Sequence, residues 1–397
     1  MVEKRRIGVF AGVVRSIYDA PRGRFFVYDA IIFASLFLFL AFIVRNVSAN
    51  LDRLHINGGF AFLQGKEAGF GISETLIAYD AQSSYGRAII VGLLNTLLVS
   101  CLTIVLSTVL GTIIGILRLG HNRLLSRLAH AYVELFRNTP LLLQLMFWYS
   151  LILISFPNPR EATSVMGVAL FTNRGLFLPW MASSGGFGWL YAGLAVGVGI
   201  GAAWTWFCKR RQRMTGAQIP SFLPSMAVIL VVLAVAKVYS GTALSMEWPT
   251  LSGFRVAGGL SLSPELATLL IGLTLYTSAL IGEIVRSGIL SVDKGQIEAA
   301  RALGLHEGRI LRLITLPLAI RAIVPPMISQ YLSLMKNSSL AVAIGYPDLA
   351  SIINTIINQT GQAIEGIAIL MGAYLCLSLS ISMVLNLFNK RMALVQR

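Results

Sequence analysis

Apolar residues in this chain gather in long runs, near residues 29 to 46, 88 to 117, 140 to 156, 186 to 207, 222 to 240, 264 to 290, 318 to 336 and 364 to 388. A bilayer core of about 30 Å takes roughly 20 apolar residues in helical form, because lipid offers backbone groups no hydrogen bonds and a helix satisfies them internally. The pattern therefore predicts an all-α polytopic membrane protein of about eight spans. Composition agrees. Of 397 residues, 56% are hydrophobic and 12% charged, with a mean hydropathy of +0.74, a balance that a water-soluble globule of this length could not keep off its surface.

The formal charge of +15 does not point to nucleic acid, since no soluble domain is available to gather the Lys and Arg into one surface. The basic residues instead stand beside the ends of spans, and their preference for cytoplasmic loops fixes the orientation. Lys4, Arg5, Arg6, Arg15, Arg22 and Arg24 precede the first span; Arg118, Arg123, Arg127 and Arg137 follow the second. "KRRQR" at 209 to 213, then Lys294, Arg301, Arg309 and Arg312, fall in the next two inner loops, and Lys390, Arg391 and Arg397 close the chain. Outer loops hold Glu67, Glu74, Asp80 and Asp348. Both termini are predicted cytoplasmic. A cleaved signal peptide fits the first run poorly, because its basic leader is too long and no clear small-residue cleavage site follows. Cys101, Cys208 and Cys376 show no paired spacing and read as small buried hydrophobes.

Four zones differ in texture. Residues 1–87 form a basic leader, one span and an outer loop; 88–157 hold two spans joined by a basic, partly helical connection. Residues 158–262 resemble an insertion, with two spans between Gly-, Ser- and Pro-rich outer stretches, and 263–397 resume with longer spans around a charged loop at 295–316. Gly193, Gly197 and Gly201 make a small face at four-residue spacing, which lets helices pack closely in lipid. Gly111 and Gly115 carry the same reading. "GVGIG" in the fourth span has the wrong spacing for a dinucleotide fingerprint, and no soluble strand precedes it.

Catalytic signatures are missing from the sequence. Without a G-x-x-x-x-G-K-[ST] phosphate loop, any ATP used must be bound by another chain. His306 and Glu307 begin a zinc-helix pattern, but Ile310 stands where the second ligand would be. The remaining signal is polarity inside the spans, which costs free energy unless it faces a cavity or a partner. Glu283 and Arg286 lie three apart on one helical face near the inner end of the sixth span, either as a structural pair or as the wall of a route for a charged solute. The seventh span carries Arg321, Pro325, Pro326 and Gln330, so its hydrogen-bond ladder must be interrupted, which suits a pathway wall better than a lipid-facing helix.

In the charged loop, "GQIEAARAL" predicts about two helical turns, with Glu298 and Arg301 adjacent on one face and Ile297, Ala300 and Leu303 on the other. Gly304 can take a positive φ and stop the helix. A second short helix, "HEGRILRLI", then precedes Pro317 and the next span. The result is a compact knob. Ala299, Ala300 and Ala302 allow close approach to a partner, and Glu298 offers it a charge; an amphipathic loop lying on lipid headgroups is the competing description.

"GQIEAARALGL" followed by "LPLAIRAIVPPM" resembles the EAA coupling loop of ABC importer permeases. "YVELFRNTPLLLQLMFWY", "NTLLVS" and "KNSSLAVAIGYPDL" resemble the polar amino-acid branch, the histidine, glutamine and arginine type importers. The long outer segment and the inserted spans are similar to one of the two unequal permeases of general L-amino-acid importers of Gram-negative bacteria. The resemblance implies a type I ABC importer transmembrane fold in the bacterial inner membrane, with Glu298, Ala299, Ala300 and Gly304 coupling to the ATPase. It implies as partners a dimer of ATP-binding subunits, a second related permease and a periplasmic amino-acid-binding protein, besides membrane lipid, with no nucleic acid and no cofactor on this chain. Glu283, Arg286, Gln330 and Asn337 are the candidate lining of the translocation path. Asn138 stands where many relatives have Gly, and Asn337 where many have Asp. Two alternatives are an ABC permease for a different small polar solute and an ATP-independent secondary transporter; the latter would need inverted repeats and would leave the knob without a purpose.

Overall fold

A computed structural model describes residues 21–53, 59–65, 67–165, 168–183, 188–215, 220–241, 244–252 and 255–392. The basic leader through residue 20 and Arg397, which contributed to the orientation above, lie outside them. The helices are α1 (Pro21–Arg53), α2 (Phe62–Gly65), α3 (Tyr85–Leu119), α4 (Arg123–Asn138), α5 (Leu141–Ser155), α6 (Gly188–Thr215) and α7 (Phe222–Ser240). They continue with α8 (Pro264–Leu290), α9 (Lys294–Ala302), α10 (Glu307–Ile310), α11 (Leu316–Asn337), α12 (Leu349–Thr360) and α13 (Ala363–Met392).

Among the described residues, seven helices are long and apolar enough to cross a membrane; the predicted run at 140–156 qualifies only together with α4, as a pair bent by 103°. Alone, α5 has 15 residues, short of the roughly 20 that a bilayer core takes. The bend has a local cause. Pro140 disfavours the helical region for the residue before it, and Thr139 is accordingly extended, at φ −94° and ψ 130°.

Two compact units divide the chain. The first comprises Met1–Leu93 and Ile352–Leu377. Its core joins Phe62, Ala68, Tyr85, Ala88, Ile352 and Ile356. The described residues between α1 and α3 are fixed there by polar contacts: Arg87 Nε donates to the Ala78 carbonyl (2.7 Å), Tyr85 Oη to Gln359 Oε1 (3.1 Å) and the Gly59 amide to Glu365 Oε1 (2.8 Å). By contrast, α1 leaves its apolar side chains exposed, as a lipid-facing helix must.

The second unit comprises Leu94–Ser351 and Ser378–Arg397, and α8 supplies residues to three of its core clusters. Ser263 caps that helix, its Oγ accepting the Leu266 amide at 3.1 Å, and Pro264 takes the first position, where an amide hydrogen has no partner anyway. Leu266, Leu269 and Leu273 pack with Leu141, Leu145, Val99, Ile344 and Tyr346. Ala279 meets Ile114, Ala129 and Val133, and Ile281 and Val285 meet Met327. Helices α6 and α7 pair as expected from the glycine face. A Cβ on Gly193 would stand 2.9 Å from that of Ala236, one on Gly197 3.1 Å from Ile229 Cα, and one on Gly201 3.5 Å from Ser225 Cβ.

The expected helical membrane fold also carries short strands outside its spans. Among the described residues, the stretches flanking α6 and α7 carry eight short strands: β1 (Thr163–Val165), β2 (Ala169–Thr172), β3 (Gly175–Leu178), β4 (Trp180–Ser183), β5 (Leu244–Glu247), β6 (Thr250–Ser252), β7 (Arg255–Ala257) and β8 (Leu260–Leu262). They form antiparallel sheets ordered β1-β2-β3-β8, β4-β5 and β6-β7. Strands of three or four residues vanish in a search for 20-residue runs. Their pairing also checks the topology: β3 holds β8 through Leu176 opposite Leu262, and β4 holds β5 through Trp180 opposite Glu247. Residues 163–183 and 244–262 therefore share one side, which requires an even number of crossings between them, as α6 and α7 supply.

Candidate functional site

The charged loop folds into the expected knob. Asp293 caps α9, its Oδ1 accepting the Gly295 amide at 2.8 Å. At the far end Gly304 takes φ +74°, its amide donates to Arg301 O (2.9 Å), and the Leu305 amide reaches Ala300 O (3.2 Å). That double closure is a Schellman motif, and it turns the chain because a residue without Cβ adopts the left-handed region freely. His306 then caps α10, its Nδ1 accepting the Gly308 amide at 3.2 Å. Arg301 Nε donates to Glu307 Oε1 at 2.6 Å and ties the two helices together.

Three details differ from the expectation. Arg301 bonds Glu307 across the turn rather than Glu298 within the helix, leaving Glu298 exposed with Ala299. Ala300 is buried, so the small face offered outward is Ala299 and Ala302; Leu303, beyond the last helical residue, is 81% exposed. The second helix is also not separate from the next span. It runs on through a π-helical turn at Leu311–Thr315 into α11, which continues past Pro325 and Pro326. The wider turn falls just before Pro317, which has no amide hydrogen to give to an α-helical ladder.

Within the second unit, α3 and α8 approach closely where a Cβ on Gly111 would stand 2.7 Å from Ile281 Cβ, and one on Gly115 2.8 Å from the Gly282 carbonyl. One turn further along, this approach brings Arg118 onto Glu283. Arg286 Nη2 donates to the other carboxylate oxygen at 2.6 Å, so Glu283 holds two guanidinium groups. Arg118 Nη2 also lies 2.9 Å from His130 Nδ1. Gln330 and Asn337 are half-buried on α11, and no hydrogen bond among the described residues joins them to this cluster. The Glu283–Arg286 pair was legible at its spacing; Arg118, from a distant helix, was not.

Two further features escaped the sequence reading. Thr96, Ser100, Thr103 and Ser107 recur at helical spacing along α3 and are fully buried beside Asn95; the Ser100 and Thr103 hydroxyls have no partner among the described residues. Asn95 Nδ2 donates to Pro347 O (2.9 Å), and Thr96 Oγ1 accepts the Leu349 amide (3.1 Å), which fixes the turn bearing Asp348. Asp348 is buried; its Oδ1 accepts the Ser351 amide at 2.8 Å, while Oδ2 has no partner among the described residues. Burial pushes its carboxyl up to about 7.

The fold defines a polytopic helical membrane component that carries an exposed knob between two of its spanning helices. Residues 195–394 match the family described as the inner membrane component of binding-protein-dependent transport systems, and the chain belongs to that family. It is 45% identical to the putative amino-acid ABC transporter permease protein YhdX of Escherichia coli (strain K12), covering 95% of this chain and 96% of that one. It is 41% identical to the general L-amino acid transport system permease protein AapQ of Rhizobium johnstonii, over 96% and 95% of the two chains. Against the glutamate/glutamine/aspartate/asparagine transport system permease protein BztB of Rhodobacter capsulatus the identity is 38%, over 91% and 92%. Membership carries with it the type I importer architecture expected from the coupling loop.

Proposed function

We propose that this chain is one of two related permeases in an ATP-powered importer that carries L-amino acids across a bacterial inner membrane, with both termini cytoplasmic. The observation that carries the mechanism is the exposed knob formed by α9 and α10. Capped at Asp293, closed at Gly304 and braced by Arg301 on Glu307, it presents Glu298 and Ala299 on a rigid element that continues into α11. A dimeric ATP-binding partner gripping it would pass its closure directly to a spanning helix, and a periplasmic binding protein would deliver the solute from the other side. Substrate class rests on the relatives, which are amino-acid permeases by name. Gln330 and Asn337 are the solute-path residues of this reading, with Glu283 and Arg286 nearer the inner end; the hydroxyl stripe on α3 supports a polar wall.

Tagging the chain in its native host, solubilising gently and identifying what co-purifies by mass spectrometry tests the reading. An ATP-binding chain with a phosphate loop and a second permease are expected; recovery of this chain alone, under conditions that preserve a known importer, would remove it. Glu298→Lys should leave membrane insertion intact and lower recovery of the ATP-binding chain about tenfold, since it inverts a charge at the docking surface.

A further inference from the structure

Beside the Arg118–Glu283–Arg286 cluster, Arg118, Ser126, Arg127, His130 and Arg286 line a cavity of about 370 Å³ at the inner ends of α3 and α8, flanked by α4. That volume lies within the roughly 300–1,000 Å³ of small-ligand pockets. Three guanidinium groups face one carboxylate there, which leaves two of their positive charges uncompensated. The buried member is Arg118, whose side chain is 7% exposed and whose Nη1 and Nη2 are held by Glu283 and His130. Arg127 and His130 form the exposed rim. Guanidinium groups clustered around an opening match the tetrahedral oxygens of a phosphate.

The surroundings indicate where that phosphate comes from. Helix α4 has three faces. Ala129 and Val133 are buried; Arg123, Arg127, His130, Glu134 and Arg137 form a polar face; Leu124, Leu128 and Leu135 are exposed at 67%, 59% and 62%. The first turn of α4 stands beside the inner end of α3, where Ser126 Oγ donates to Arg118 O (3.1 Å), and the helix then rises to the middle of α8, where Tyr132 Oη donates to Leu275 O (3.0 Å); the pocket therefore sits at the headgroup end of a helix whose bare leucines face acyl chains. Basic pockets at that depth suit anionic phospholipid headgroups.

We propose that this cavity binds a phosphate group, supplied by the headgroup of an anionic phospholipid of the inner leaflet. The full chain, purified in mild detergent with its partners, is incubated with equal mole fractions of dioleoylphosphatidylglycerol and dioleoylglycerol, which share acyl chains and differ in the phosphoglycerol headgroup. Retention is read by native mass spectrometry, and inorganic phosphate binding is measured separately by equilibrium dialysis. The expected result is a preference for phosphatidylglycerol of about tenfold that is largely lost in Arg127→Gln and partly restored in Arg127→Lys. If the lipids are retained equally but inorganic phosphate binds saturably and loses affinity in Arg127→Gln, the source is soluble phosphate. Neither binding, or a preference unchanged in both Arg127→Gln and His130→Gln, would overturn the site. Both positions are exposed, so the variants keep the fold that the comparison needs.

Discussion

Two helix pairs in this protein solve the same packing problem and then diverge. Both α3 with α8 and α6 with α7 bring backbones together over glycines, Gly111 and Gly115 in one case and Gly193, Gly197 and Gly201 in the other. Past that likeness, α3 and α8 bury a stripe of hydroxyls, meet in the Arg118–Glu283–Arg286 cluster and help to hold the turn of Asp348. The α6–α7 hairpin buries Ser225, whose Oγ donates to the Gly201 and Ser221 carbonyls (3.2 and 2.7 Å). Most of the apolar stretch of α8 is buried, whereas among the described residues of α7 Ser225 alone is. Glycine spacing alone therefore says that helices touch; the polar residues beside the glycines say which contact has been loaded with groups that need partners.

The largest way to expose that difference is through Asp348. Its carboxyl ionises near pH 7 in the fold and near its ordinary value of 3.8 once unfolded. Between those values the unfolded chain releases a proton that the folded chain keeps, so the contribution of this group to stability is full below about pH 4 and is lost as pH rises through 7. The full decline is about 4 kcal/mol. Asp348→Asn keeps an acceptor for the Ser351 amide and removes the ionisation. Thermal unfolding of the two proteins from pH 4 to 8 should show a sloping difference in Tm; parallel curves would mean that the buried carboxyl is ionised throughout.

Next in size, Gly111→Ala sets a methyl group 2.7 Å from Ile281 Cβ and 2.8 Å from the Ser278 carbonyl. Backbone is in the way, and α3 and α8 must separate at a cost of about 3 kcal/mol. A melting temperature within a degree of wild type would show that the pair has slack. Glu283→Gln tests the same contact electrostatically. It leaves Arg118, buried, without its counter-charge, and a loss of about 2 kcal/mol is expected, the partial exposure of Glu283 and Arg286 reducing the effect below that of a fully buried pair. If Arg118→Gln added to Glu283→Gln costs as much again, the two groups are not coupled.

How much of this could be read beforehand follows from the range of each interaction. Helical spans and the knob are set by neighbours in sequence: apolar runs of sufficient length, the Glu298 to Gly304 spacing, a glycine where the chain must turn. The capture of Glu283 by Arg118 depends on residues 165 apart meeting across a glycine contact, and nothing local to either reports it. The strands between 163 and 262 were hidden because three or four residues carry too little pattern. Thr96, Ser100, Thr103 and Ser107 were legible in principle, since polar residues at i, i+4, i+7 and i+11 mark one helix face, but each is small enough to pass inside an apolar run. Asp348 belonged on paper to an outer loop; only the turn fixed by Asn95 and Thr96 buries it.

The smallest predicted effect is the control for the rest. At Gly201 a new methyl group would meet Ser225 Cβ at 3.5 Å and the Ser225 carbonyl at 3.6 Å, which is ordinary contact. Alanine also loses less backbone entropy than glycine in a helix, a gain of up to about 1 kcal/mol that offsets any tightening. Gly201→Ala should therefore change stability by less than about 0.5 kcal/mol and leave transport unaltered, although the substitution is chemically identical to Gly111→Ala. A large loss at Gly201 would mean that the α6–α7 hairpin is packed as closely as the central pair. The distinction between a loaded contact and a merely close one would then have to be drawn from the polar residues alone.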